Sequence, residues 1–164
     1  EFDIALLLGP LYHLTEKEER AKAIQEAMRV IKRGGIIIAA FISRYASLFD
    51  GLRRDLVKDD CFEKILLNDL QHGVHMNDTD NLEYFTTAFF HTPQEIKDDL
   101  SEEGLKFEKL VAVESAGWLI DNLSEKIKDE VSGAKIRKII NIIESNTDII
   151  AMSPHIIGIA RKVL

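Results

Sequence analysis

Two runs without a polar face, Ile4 to Leu8 and Ile36 to Ile42, constrain the fold more than anything else in the chain. A strand with one wet face alternates apolar and polar residues. One that is apolar at every position fits burial on both faces and pairing on both edges, as in a parallel sheet wrapped by helices. The first run starts almost at the first residue, so the strands that should flank it cannot all come from these 164 residues. The sequence therefore predicts the C-terminal portion of a larger α/β domain.

Between the runs, Thr15-Glu16-Lys17-Glu18 has the form of a capping box, and Ala21, Ile24, Ala27, Met28 and Ile31 recur at helical spacing. Gly34 and Gly35 are expected to stop this helix before the second strand, completing a βαβ unit. From Arg44 to about residue 88 the stripes Leu48, Phe49, Leu52, Leu56 and Phe62, Ile65, Leu66, Leu70 predict two helices. A polar link follows over residues 72–82, then an aromatic patch at Tyr84, Phe85, Phe89 and Phe90. These features predict a helical lid insertion over 44–88, with the core formed by 1–43 and 89–164.

Thr92-Pro93-Gln94-Glu95 combines an N-cap threonine, proline at the first helical position and glutamate at the third. The helix it opens should end at Gly104. A strand over 105–114, helices over about 122–131 and 134–144 with Ile136, Ile139, Ile140 and Ile143 facing inward, and a last strand over about 156–163 complete the expectation.

The 28 acidic residues outnumber the 21 basic ones, giving a formal net charge of −7 that disfavours binding to nucleic-acid phosphates. No apolar run approaches the roughly 18 to 20 residues that cross a bilayer. The single cysteine, Cys61, cannot form an internal disulfide and fits a reducing, cytoplasmic setting, where it reads as a structural thiol.

The phrase from Phe2-Asp3-Ile4 to Gly9-Pro10-Leu11-Tyr12-His13-Leu14, followed by Arg29-Val30-Ile31-Lys32-Arg33-Gly34-Gly35, resembles the second half of a class I S-adenosylmethionine-dependent methyltransferase. Residues 85–93 and the closing His155 to Lys162 are similar to one bacterial branch of it. The resemblance implies a partial Rossmann-like three-layer sandwich holding strands four to seven of a seven-stranded sheet ordered 3-2-1-4-5-7-6. It also implies S-adenosyl-L-methionine as cofactor and a small-molecule acceptor as partner. The family's glycine-rich turn after strand one has no counterpart among the nine glycines, which include no Gly-x-Gly. This chain alone is accordingly expected to be a truncated, inactive portion.

By resemblance Leu8, Gly9 and Pro10 would border the cofactor, while Tyr12 and His13 would face cofactor or acceptor, His13 as proton acceptor. Bracing of the loop is the competing role for Tyr12 and His13. Arg44 and Tyr45 follow the second strand directly and could touch the acceptor, or form a hinge. His91 reads as a pocket residue or a locally bonded histidine, and Trp118 as a pocket wall or a core residue. His72 and His75, with Asp78 and Asp80, read better as a solvated link than as a metal site.

Two other functions remain open from the sequence: the distal half of a nicotinamide-dependent oxidoreductase, and a non-catalytic binding module. The unprotected apolar edge predicts aggregation, or a homodimer that covers it.

Overall fold

The structure, a computed structural model, describes residues 1–101 and 104–164. Strand β1 (Phe2–Leu7) leads through the short helix α1 (Pro10–His13) to helix α2 (Lys17–Val30) and then to β2 (Ile31–Ser43). Helices α3 (Ala46–Arg54) and α4 (Asp60–His72), a two-residue strand β3 (Val74–His75) and β4 (Ala88–His91) follow. The chain continues with α5 (Pro93–Asp99), β5 (Leu105–Ala112), α6 (Leu123–Lys126), α7 (Glu130–Ile143) and β6 (His155–Lys162).

The α/β fold read from the sequence is present, and the sheet is mixed. β1 runs parallel to β2, β6 runs antiparallel along the other edge of β2, and β5 pairs antiparallel with β6. β4 also runs parallel to β2, but only at Ile42 and Ser43, beyond the residues that β1 occupies. Since β6 takes the opposite edge, β1 and β4 share one edge of β2 end to end. The aromatic patch expected in the lid thus partly belongs to the sheet.

One face of the sheet is dry. Ile31, Ile37, Ala39 and Phe41 of β2 pack with Ile24 and Ala27 of α2, with Ile96 of α5 and with Leu100. On the other face Ile36, Ile38, Ala40, Ile157 and Ile159 are only half-buried, so the expected burial on both faces is not complete among the described residues. β1 shows the same split, with Ala5 and Leu7 against the core and Phe2 and Leu6 at 64% and 60% exposure. Phe62, Ile65 and Leu66 of α4 form a separate small core with Tyr84, which lies between β3 and β4, and Leu48 of α3 packs against it.

Several local expectations need correction. The α2 N-cap is Glu16 without a side-chain cap bond; the Thr15 carbonyl instead accepts from Arg20, so the predicted capping box is not formed. Gly34 and Gly35 lie inside β2, where the register against β1 slips between the Phe2 and Ile4 pairs. Gly34 takes φ +81°, and a side chain on Gly35 would stand 2.9 Å from the Asp3 carbonyl oxygen, so these glycines make a bulge rather than a helix stop. Near the end of the chain, Asp129 caps α7 through Ser132, which moves the helix start ahead of Ala134. Ile139, expected inside, is 58% exposed. Cys61, read from the sequence as a structural thiol, is exposed at the start of α4.

Candidate active site

A cavity of about 310 Å³ opens at the carboxyl end of β2. Open α/β sheets bind ligands at this end, because successive parallel strands release their loops there. Ile42 and Phe90 form its sheet side, Phe62, Tyr84 and Phe85 come from the α3–α4 segment and the link, and Trp118 closes another wall. The antiparallel β6 starts where β2 ends, as the pairing of Ile42 with His155 shows, so its first residue His155 reaches the same cavity.

Phe85 stands in the wall with φ 68° and ψ −171°, a backbone region that is nearly glycine's own. Such a conformation costs about 1–3 kcal/mol and persists where surrounding contacts over-determine it. Here Asn77 donates to the Phe85 carbonyl at 2.8 Å, and the ring packs among His13, His75 and Phe90.

His75 lies under the cavity in a chain of three polar side chains. Asp69 accepts from the Ser47 hydroxyl at 2.6 Å and faces His75 Nδ1 at 2.8 Å, while His75 Nε2 lies 2.6 Å from the Tyr84 carbonyl oxygen. A hydrolytic triad needs the imidazole between carboxylate and hydroxyl, and here the carboxylate sits in the middle. The trio is a brace tying α3, α4 and β3 together. It also corrects the reading of 72–82 as a solvated link, since His75 is 1% exposed.

At the far wall, Glu114 and His155 form a different pair. Glu114 Oε1 lies 2.6 Å from His155 Nδ1, and Oε2 accepts from the His155 backbone N–H at 3.0 Å and from the Ser153 hydroxyl at 2.9 Å. Burial alone would raise the Glu114 carboxyl, but the bonds from His155 and Ser153 outweigh it and hold the group at about 2 instead of 4.5. The Glu114 hydrogen bond in turn raises His155 above its ordinary 6.5, against the opposing effect of burial.

Of the residues singled out from the sequence, Trp118 lines the cavity, and its indole N–H also bonds the Met152 carbonyl at 3.1 Å. Leu8 and Pro10 are exposed at the end of β1, with Gly9 half-buried between them. Tyr12 packs on the Ile42, Ala88 and Phe90 cluster, and the exposed His13 stacks on Phe85 at 6.4 Å without lining the cavity. Arg44 is buried and directs its donors to Glu95, at 2.7 and 2.8 Å, and to the Phe90 carbonyl. Tyr45, half-buried, precedes α3 and donates its N–H to Ser43.

His91 is fully buried between Phe41 and Phe89, with Nε2 3.4 Å from Asp99 and no well-formed hydrogen bond on either nitrogen. Burial pushes its pKa down. Asp99 bonds Arg20 at 2.8 Å, and the Arg20 guanidinium lies 4.1 Å from the Phe89 ring centre. These groups staple α2, β4 and α5 together, apart from the cavity.

Glu114, Ser153 and His155 carry no local motif. The one available signal is topological: a strand antiparallel to β2 must begin where β2 ends, so its first polar residue belongs to the site.

No protein-family model and no curated protein sequence matches the chain. Among solved structures, an S-adenosylmethionine-dependent methyltransferase from Methanosarcina mazei superposes with a TM-score of 0.55 at 15% identity, over 99% of this chain and 60% of the other. The plantazolicin methyltransferase BamL, solved with a triazolic desmethylPZN analog and SAH, gives 0.42 at 13% identity over 99% and 53%. The chain thus spans 60% of the length of the first neighbour. At 15% identity the likeness to the Methanosarcina mazei protein is one of fold alone.

Proposed function

We propose that the chain is part of an S-adenosylmethionine-dependent methyltransferase acting on a small molecule, and that the 310 Å³ cavity receives the acceptor. The position of this largely aromatic cavity at the carboxyl end of β2 carries the reading. The strand order β1-β2-β6-β5, with β6 antiparallel, supports equating these strands with the fourth, fifth, seventh and sixth of that fold. The chain would then correspond to the portion from strand four onward.

The residues proposed to border the methyl donor fit part of it. Leu8 and Pro10 offer an exposed apolar wall at the end of β1, suited to a flat base or a thioether carbon chain, while ribose hydroxyls would find no side-chain partner on these three residues. Gly9 is not demanded there by crowding, since a side chain would meet only the end of the Tyr12 side chain, no nearer than 3.5 Å. When bound, the donor supplies a methyl group on a positive sulfur. The protein's share is to hold the acceptor in line, keep water out and manage the acceptor's proton. Phe62, Tyr84, Phe85, Phe90 and Trp118 provide the first two of these.

Calorimetric titration of the chain, and of any longer product of its gene, with S-adenosylmethionine and with NAD tests the reading. Binding of the methyl donor is expected, weak in this chain and tight in a longer product that carries a Gly-x-Gly turn. Selective binding of NAD would replace the reading with that of an oxidoreductase.

A further inference from the structure

An acceptor that is methylated on an O–H or N–H group must lose a proton, and a proton acceptor is useful only within reach of the bound molecule. Resting on the methyltransferase reading above, we propose that His155, oriented by Glu114, takes this proton, and that the acceptor is a phenol seated among Phe62, Tyr84, Phe85, Phe90 and Trp118.

The orientation follows from the chemistry of the pair. An ionised carboxylate can only accept, so in the neutral imidazole the 2.6 Å contact places the hydrogen on His155 Nδ1 and leaves the Nε2 lone pair uncommitted on a residue that lines the cavity. Glu114 is itself fixed by the His155 backbone N–H and the Ser153 hydroxyl, and Ser153 also accepts from the backbone N–H groups of Glu114 and Ser115. The imidazole is therefore held by a frame, not by a single contact.

In the proton step the phenol O–H bond breaks and its electron pair stays on oxygen. An N–H bond forms at Nε2, and Glu114 neutralises the resulting imidazolium. Other charged or titratable groups around the cavity are Asp50 and Arg53 of α3, Glu83, Tyr84, whose hydroxyl pKa burial pushes up so that it stays neutral, and His75 of β3. Asp50 and Glu83 both pair with Arg54, His75 has each ring nitrogen engaged and Arg53 is a permanent cation with no lone pair to offer, so His155 is the histidine with a nitrogen free to accept a proton among the described residues of the wall.

The aromatic lining points to the acceptor's body. A cavity of 310 Å³ holds one or two fused rings, and stacked or edge-on rings gain about 0.5–1.5 kcal/mol per pair beyond area burial.

The test uses 4-nitrophenol as probe, with no methyl donor present, because its phenolate absorbs visibly and its phenol does not. At a pH where NMR shows His155 to be neutral, above its raised pKa, binding to the wild-type chain is expected to raise the phenolate fraction above that of free 4-nitrophenol at the same pH. H155Q is expected to retain binding but lower the bound phenolate-to-phenol ratio about tenfold, the effect of a one-unit pKa change, with E114Q falling between. Nitrogen-15 NMR of the wild-type chain should show His155 as the Nδ1–H tautomer above its pKa. Failure to bind 4-nitrophenol, binding as neutral phenol, an unchanged band in H155Q, or an Nε2–H tautomer would each overturn the proposal. If H155Q does not fold, E114Q and the wild-type tautomer decide. Failure of the methyltransferase reading would show separately, in the donor titration.

Discussion

The Glu114 carboxyl is held at about 2 and its partner His155 is raised above 6.5, and these opposite shifts set the pH window in which the pair stabilises the fold. Glu114 contributes above its unfolded value of 4.5 and loses that contribution as pH falls towards 2. His155 contributes fully below 6.5 and loses it as pH rises through its folded pKa. The substitution E114Q should therefore destabilise the chain most between about pH 4.5 and 6.5. Its urea midpoint should approach that of wild type at low pH and only partly at high pH, where the bonds from the Ser153 hydroxyl and the His155 backbone N–H to Glu114 persist, and a constant difference across the whole range would show that the pair is not coupled as described. These two residues lie 41 positions apart and meet only because β5 ends beside the start of β6. His13 drew attention from the sequence because it sits in the loop after β1, yet its ring stacks on Phe85, a lining residue, and does not itself line the cavity.

Among the elements, α5 shows what local sequence can specify. The Thr92 hydroxyl accepts from the Glu95 N–H at 3.2 Å and Glu95 accepts from the Thr92 N–H at 2.7 Å, so the predicted capping box is formed. Its partners are three residues apart, and a cap of this kind needs nothing from the rest of the chain. Where α5 lands was not legible. The helix lies so close to β6 that a side chain on Gly158 would stand 2.4 Å from Leu100 Cδ1, 3.0 Å from Ile96 and 3.1 Å from Phe41, all fully buried. Gly158→Ala should cost about 1–3 kcal/mol through overpacking, measured by urea unfolding. A neutral outcome would mean that this contact is looser than described. Ile139 shows the converse case: its helical spacing was clear, but periodicity does not reveal which stripe finds a partner.

At the scale of the whole molecule, β1 has one edge without a partner strand among the described residues, and its outer face of Phe2, Ile4 and Leu6, continued by Leu8, is exposed to solvent. Asp3 pairs with Lys32 of β2, which places one charge pair at the start of the strand. Such an edge is a template for pairing with other chains. Light scattering of the chain should detect association, and Leu6→Lys should reduce it by charging the exposed face without touching the core. Equal association in the variant would place the contact elsewhere.

From the sequence alone come the α/β class, the two apolar strands with a helix between them, the capped start of α5 and the approximate place of the last strand, because each rests on spacing within a short segment. The tertiary structure alone decides that β1 and β4 share one edge of β2, that Gly34 and Gly35 make a bulge, that His91 and Arg44 are committed to packing, and that Glu114 meets His155. Those outcomes depend on which distant segments become neighbours, and no local period of apolar residues carries that information.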